Sequence, residues 1–143
     1  MNKPTFYELI NMVEQVNNAN IIQFTEGLTK PIGISSLIVL SEIRKLEKCQ
    51  PVELSNKLGY SKSSISIITK KLLDAGYIEN TFDPHDRRKI YLSLTSAGND
   101  MLREAEYLGQ QYYENIYSVL TDEELLQYIE IQKKLLNKLK DSK

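Results

Sequence analysis

The side chains with the plainest chemical potential lie between Tyr60 and Thr95. Ser61, Lys62, Ser63, Ser64, Ser66, Lys70 and Lys71 place hydroxyls and ammonium groups at close intervals. Asp83-Pro84-His85-Asp86-Arg87-Arg88 and Lys89 follow. Such groups suit phosphate oxygens and base edges, which they reach by hydrogen bonds and charge. They do not suit bond-making. The chain has one histidine, His85, and one cysteine, Cys49, without a glycine-rich phosphate loop. A nucleophile with its base, a cofactor cradle and a metal site of the usual spacing are therefore not expected, and neither is an enzyme.

Two kinds of element must hold these residues. Ser61 to Ala75 reads as a helix capped by Ser61 and broken at Gly76, with Ile65, Ile68, Leu72 and Leu73 facing inward. Lys62, Ser63, Ser66, Ile67, Lys70 and Lys71 are left outward. A short helix from Pro51, ending at Gly59, precedes it and makes a helix-turn-helix. Tyr77–Phe82 and Lys89–Leu94 read as strands, with Ile90, Leu92 and Leu94 on one face. Their connecting loop ends in the cations Arg87 and Arg88, and Lys89 extends the run. An arginine at such a tip can enter a minor groove, where narrow width concentrates negative potential. Asp86 is expected to pair with Arg88 through a bidentate bond and fix the loop. A solvated polar helix face and a solvated charged turn are the plain alternatives.

The flanking segments read as helices. Thr5 to about Gly27 reads with Phe6, Leu9, Ile10, Val13, Val16, Ile21, Phe24 and Leu28 as its apolar series, with room for a kink at Asn17–Asn20, and Lys30-Pro31-Ile32-Gly33 ends it. Ser35 or Ser36 is expected to cap a second helix, striped by Leu37, Leu40, Ile43 and Leu46 and closed by Lys45 and Lys48. Thr95 caps a helix carrying Ala97, Leu102, Ala105, Leu108, Tyr112, Ile116 and Val119 or Leu120. Thr121-Asp122-Glu123-Glu124 is a capping box for the last helix, whose seam is Leu125, Ile129, Gln132, Leu136 and Leu139. These apolar ends fit dimerisation, and equally helices that fold back on their own domain.

With 41% hydrophobic and 26% charged residues in 143, the chain has the makeup of one soluble globular domain. It lacks an apolar run long enough for a membrane and the apolar core of a signal peptide, so no membrane partner and a cytoplasmic location are expected. One cysteine fits a reducing compartment. Cys49 reads as a structural thiol before an oxidant sensor, and the nine tyrosines as packing groups before pocket walls. The net charge of -1 argues against a nucleic-acid partner, but its distribution does not. Residues 1–56 sum to -1 (5 basic, 6 acidic), 57–98 to +3 (7 basic, 4 acidic) and 99–143 to -3 (6 basic, 9 acidic). Positive charge collects where the suspected DNA elements lie.

Leu72-Leu73-Asp74-Ala75-Gly76-Tyr77-Ile78, the run Asp83–Arg88, and Leu92-Ser93-Leu94-Thr95-Ser96-Ala97-Gly98, in this order of elements, resemble the MarR family of bacterial transcription regulators. The resemblance covers roughly Ile34 to Leu102 by motif and the ends by helix pattern. It implies a mainly α fold with a small β-hairpin wing: an N-terminal dimerisation helix in 1–33, a winged helix-turn-helix in 34–98 and C-terminal dimerisation helices in 99–143, all one continuous domain. It implies a homodimer that binds double-stranded DNA at a pseudo-palindromic operator, commonly represses transcription, and in many members is released by a small-molecule effector or an oxidant. Arg88 matches the wing arginine of the minor groove and Asp86 the acid that supports it. Lys62, Ser63, Ser64, Ser66 and Ile67 fall on the recognition-helix contact zone. Many members carry arginine where this chain has Ile67, which cannot make a bidentate guanine contact. A winged-helix protein that binds other proteins, without DNA, is the remaining alternative.

Overall fold

A computed structural model describes residues 3–141. Helix α1 (Lys3–Glu26) leads into α2 (Ile34–Leu46), strand β1 (Lys48–Cys49), α3 (Pro51–Leu58), α4 (Lys62–Asp74), the hairpin β2 (Ile78–Phe82) and β3 (Ile90–Leu94), α5 (Ser96–Tyr117) and α6 (Asp122–Asp141). The fold is mainly helical with a small antiparallel sheet, ordered β1-β3-β2. The chain divides into two compact units, Met1–Leu108 and Gly109–Lys143.

Within the first unit one core joins the helices to the sheet. Val39, Leu40 and Ile43 of α2, Leu54 of α3, Ile65 and Leu72 of α4, Ile78 and Leu92 of the hairpin, and Met101 and Leu102 of α5 are all buried. The helical stripes read from α2 and α4 therefore face one another. Cys49 joins this core by pairing with Leu92 across β1 and β3, while Lys48 pairs with Ser93.

Several local expectations change. Neither Ser35 nor Ser36 caps α2. Gly33 holds that position in extended geometry without a side-chain cap, and its carbonyl accepts the Leu37 amide at 3.1 Å. The residues Asn17–Asn20 remain inside the single helix α1. Lys48 does not close α2: the helix ends at Leu46, Glu47 turns the chain at φ 66°, and Lys48 enters β1. A two-residue strand exists only because β3 supplies its partner. Helix α5 ends at Tyr117, which leaves Val119 outside it and 82% exposed. Ala97 lies exposed on α5, and Met101 takes the buried place.

The base of the hairpin is tied to both neighbouring helices around Gly76, which takes φ 79°, a geometry that glycine adopts without strain. The Tyr77 amide donates to the Leu72 carbonyl at 3.0 Å, closing α4. The Thr95 hydroxyl donates to the Gly76 carbonyl at 2.6 Å and accepts the Gly98 amide at 3.1 Å, so one side chain caps α5 and holds the turn after α4. The Thr95 amide bonds the Tyr77 carbonyl at 3.1 Å. A Cβ on Gly98 would stand 2.1 Å from that Tyr77 oxygen.

In the second unit the capping box forms as read: the Glu124 carboxylate accepts the Thr121 amide at 2.9 Å, and the Thr121 hydroxyl accepts the Glu124 amide at 3.1 Å. Tyr113 and Tyr117 stack with centroids 6.0 Å apart, and Tyr128 meets Tyr117 edge-on at 5.9 Å. Burial raises the Tyr117 pKa, with Tyr128 adding to the effect. No residue of α6 is buried in the single chain. The α1 stripe of Phe6, Leu9, Ile10, Val13 and Val16 is likewise exposed.

Gly98→Ala is expected to destabilise the fold by about 2 kcal/mol or more, since a backbone carbonyl must move to admit the methyl group. The check is a lower urea midpoint at unchanged slope; an unchanged midpoint would show that the α5 start shifts without cost.

Candidate nucleic-acid interface

The turn between α3 and α4 is fixed by the backbone and one hydroxyl. Gly59 takes φ 72° and its amide reaches the Ser55 carbonyl at 2.9 Å. The Ser55 hydroxyl donates across the turn to the Tyr60 carbonyl at 2.6 Å. Ser61 then caps α4, its oxygen accepting the Ser64 amide at 3.1 Å. The same hydroxyl donates to the Ser64 oxygen at 2.9 Å and lies 3.2 Å from that of Ser63. Three exposed hydroxyls thus cluster at the helix start, where the free amides make a partly positive pole.

Ser61, Lys62, Ser63, Ser64, Ser66, Ile67, Lys70 and Lys71 are all exposed, and no acidic residue stands in the first turn of α4. Ile67 is 58% exposed, an apolar side chain on a polar face. Thr69 is absent from the residues read from the periodicity, yet it is buried between Ile65 and Leu72. Its hydroxyl is satisfied inside the helix by the Ile65 carbonyl at 2.8 Å, with the Ser66 carbonyl at 3.2 Å. A threonine that back-bonds in this way fits a core, and the pattern of apolar residues carries no signal for it.

The wing loop is organised by an aspartate that the sequence reading left without a role. One oxygen of Asp83 accepts the amides of His85 at 2.8 Å and Asp86 at 3.2 Å. Backbone bonds between Asp83 and Lys89, and between Lys89 and Asp86, close the loop at 3.1 and 3.0 Å. Asp86 does pair with Arg88, but not as a bidentate fork. A single oxygen accepts both the Arg88 amide at 3.0 Å and its Nε at 3.4 Å. The loop brings the carboxylate to the backbone and the near side of the guanidinium, out of reach of a second parallel bond. The Arg88 side chain is 93% exposed. Arg87 and Lys89 are exposed beside it. An ion pair this exposed stabilises little, so the backbone bonds set the shape of the loop.

Cys49 is fully buried. Burial pushes its thiol up to about 11, and Glu53 and Glu42 add to the effect. This is the reverse of the cationic, accessible setting that activates a thiolate. The neighbouring Lys48 lies 5.0 Å over the Tyr91 ring. Among the described residues no group of three His, Cys, Asp or Glu side chains could hold a metal, and no helix is long and apolar enough to cross a membrane. A cleft of about 420 Å³ opens between α1, α2 and α5, walled by Phe24, Ile34, Leu37, Ile38, Leu102 and Ala105. No tyrosine lines it. Beside it Arg44 pairs with Glu106. The Glu104 carboxylate accepts both the amide and the hydroxyl of Thr29, and these bonds hold its pKa below the usual carboxylate value.

A helix-turn-helix followed by a hairpin, with cations on the second helix and at the hairpin tip, defines the winged helix-turn-helix class. A profile of the MarR family matches residues 27–89. The transcriptional repressor MprA of Escherichia coli strain K12 is 32% identical over 124 residues, covering 87% of this chain and 69% of that protein. Of the solved structures, a mutant Escherichia coli MarR complexed with operator DNA superimposes with a TM-score of 0.75 at 25% identity, over 92% of this chain and 96% of that one. Streptococcus pneumoniae FabT in complex with DNA gives 0.77 at 25% identity, over 96% and 99%. The chain belongs to the MarR family, and it is a regulator rather than an enzyme.

Asp83→Ala removes the acceptor for two wing amides. Hydrogen exchange at His85 and Asp86 is expected to quicken by about tenfold, the effect of losing roughly 1.4 kcal/mol of charge-assisted bonding. Asp83→Asn, which keeps an acceptor oxygen, is expected to fall between the two; equal rates in all three proteins would remove Asp83 as the organiser. In the folded protein, alkylation of Cys49 by iodoacetamide at pH 8 is expected to be about a hundredfold slower than in urea, because the thiolate is both scarce and covered. Equal rates would show an open, activated thiol.

Proposed function

We propose that the protein is a homodimeric, cytoplasmic, DNA-binding transcriptional regulator that acts as a repressor at a pseudo-palindromic operator. Helix α4 enters the major groove, where Ser61, Lys62, Ser63, Ser64, Ser66 and Ile67 meet base edges and phosphates, with Lys70 and Lys71 on the flanking backbone. The wing enters the adjacent minor groove with Arg88, supported by Asp86 and flanked by Arg87 and Lys89. The observation that carries this reading is the pairing of an acid-free, exposed first turn on α4 with a hydrogen-bonded wing that leaves Arg88 open to solvent. The names of its relatives support it: MprA is described as a repressor, and MarR and FabT were solved with DNA.

The exposed apolar stripes of α1 and α6 suit burial against a second copy of the chain, whose two-fold symmetry would match two half-sites one helical turn apart. The cleft between α1, α2 and α5 is the natural place for an effector, because it lies between a helix of the proposed dimer contact and the core of the DNA-binding lobe. An occupant that favoured one spacing of the two α4 helices would shift the population between DNA-competent and incompetent dimers.

Arg88→Ala is expected to weaken binding to a duplex recovered by selection from random sequence and to lower the slope of log affinity against log salt by about one. Retained affinity with an unchanged slope would take Arg88 off the DNA. A selection that recovers no palindrome at low salt would count against the operator reading as a whole.

A further inference from the structure

The charge pattern of the α1–α2–α5 cleft selects its occupant. The walls are apolar, and the polar groups that line it are Ser41, Glu42, Lys45 and Glu106. Glu106 is already neutralised by Arg44. Glu42 is different. Its side chain is only 16% exposed, and its one ion-pair partner is Lys45, 4.0 Å away on a side chain that is 70% exposed. Among the described residues no hydrogen bond reaches the Glu42 carboxylate. A carboxylate on a side chain that is mostly covered, and so loosely paired, attracts a cation brought to it more than one on a fully exposed side chain does. Lys45, being exposed, can turn to solvent and leave the place free.

We propose that this cleft takes a lipophilic organic monocation, with its ammonium centre against Glu42 and its apolar body against Phe24, Leu37, Ile38, Leu102 and Ala105. The volume suits one small aromatic or branched aliphatic body. An anion with the same body meets the Glu42 carboxylate and gains only the mobile Lys45, since Arg44 is already engaged with Glu106. This inference rests on the reading of the cleft as the effector site, but binding and DNA release are separable.

The test uses the whole 143-residue chain and three probes that share one phenethyl body, measured by calorimetry: phenethyltrimethylammonium, its neutral carbon analogue 3,3-dimethylbutylbenzene, and the anion 3-phenylpropanoate. The cation is expected to bind at least tenfold more tightly than either of the others. Glu42→Gln should erase that preference while leaving the melting temperature near wild type, and Lys45→Met, which removes the competing ammonium, should strengthen cation binding. The proposal is overturned if the anion binds as well as the cation, if Glu42→Gln leaves the preference intact, or if no probe binds at millimolar concentration. Release of a labelled operator duplex is then followed with the same cation. Glu42-dependent binding without release keeps the ligand class and removes the effector reading. Release by the anion alone keeps the effector reading and removes the class.

Discussion

The molecule depends on the close approach between the start of α5 and the turn that follows α4. Gly98 sits against the Tyr77 carbonyl, and the Thr95 hydroxyl spans from the Gly76 carbonyl to the Gly98 amide. Through these few atoms the end of the proposed reading helix, the base of the wing and the first turn of α5 share one position. The arrangement leaves no space for a side chain where Gly98 stands, which makes it stiff. A displacement of α5 therefore reaches α4 and the hairpin together.

Stiffness at this point would give an occupant of the cleft leverage over α4 and the hairpin. Leu102 and Ala105, one and two turns beyond Gly98 on α5, form part of its wall. Glu104, on the same stretch, holds Thr29 between α1 and α2. An occupant that pushed on this face of α5 would act close to the place where the helix is fastened, and packed interfaces pass on such movements as discrete shifts and not as gradual strain.

How much of this is visible in the sequence follows from how local each cause is. The Ser61 cap, the stop at Gly59, the break at Gly76, the Thr95 cap and the Thr121–Glu124 box each need only a few consecutive residues, and all are legible. The burial of Ile65 and Leu72 follows from helical spacing. Strand β1 is different, because Lys48 and Cys49 become a strand only when Leu92 and Ser93 of β3 arrive beside them. Thr69 and Met101 lie in the core for reasons of packing that their chemistry does not announce. At the wing, Asp86 with Arg88 is legible as a pair of charges. The role of Asp83 is not, since it depends on the backbone path that brings two amides to one oxygen. The choice of Gly33 over Ser35 or Ser36 at the head of α2 is a matter of where the preceding turn delivers the chain.

The three hydroxyls at the start of α4 already satisfy one another through Ser61. Each can reverse between giving and taking a hydrogen bond by rotating about a single bond. In a complex with DNA they would trade partners without leaving any group stranded, whichever base edge they met. A reader of this kind tolerates spelling. The information held by its binding site would then concentrate in the width and flexibility of the flanking duplex, and related sites of differing sequence could be served by one protein.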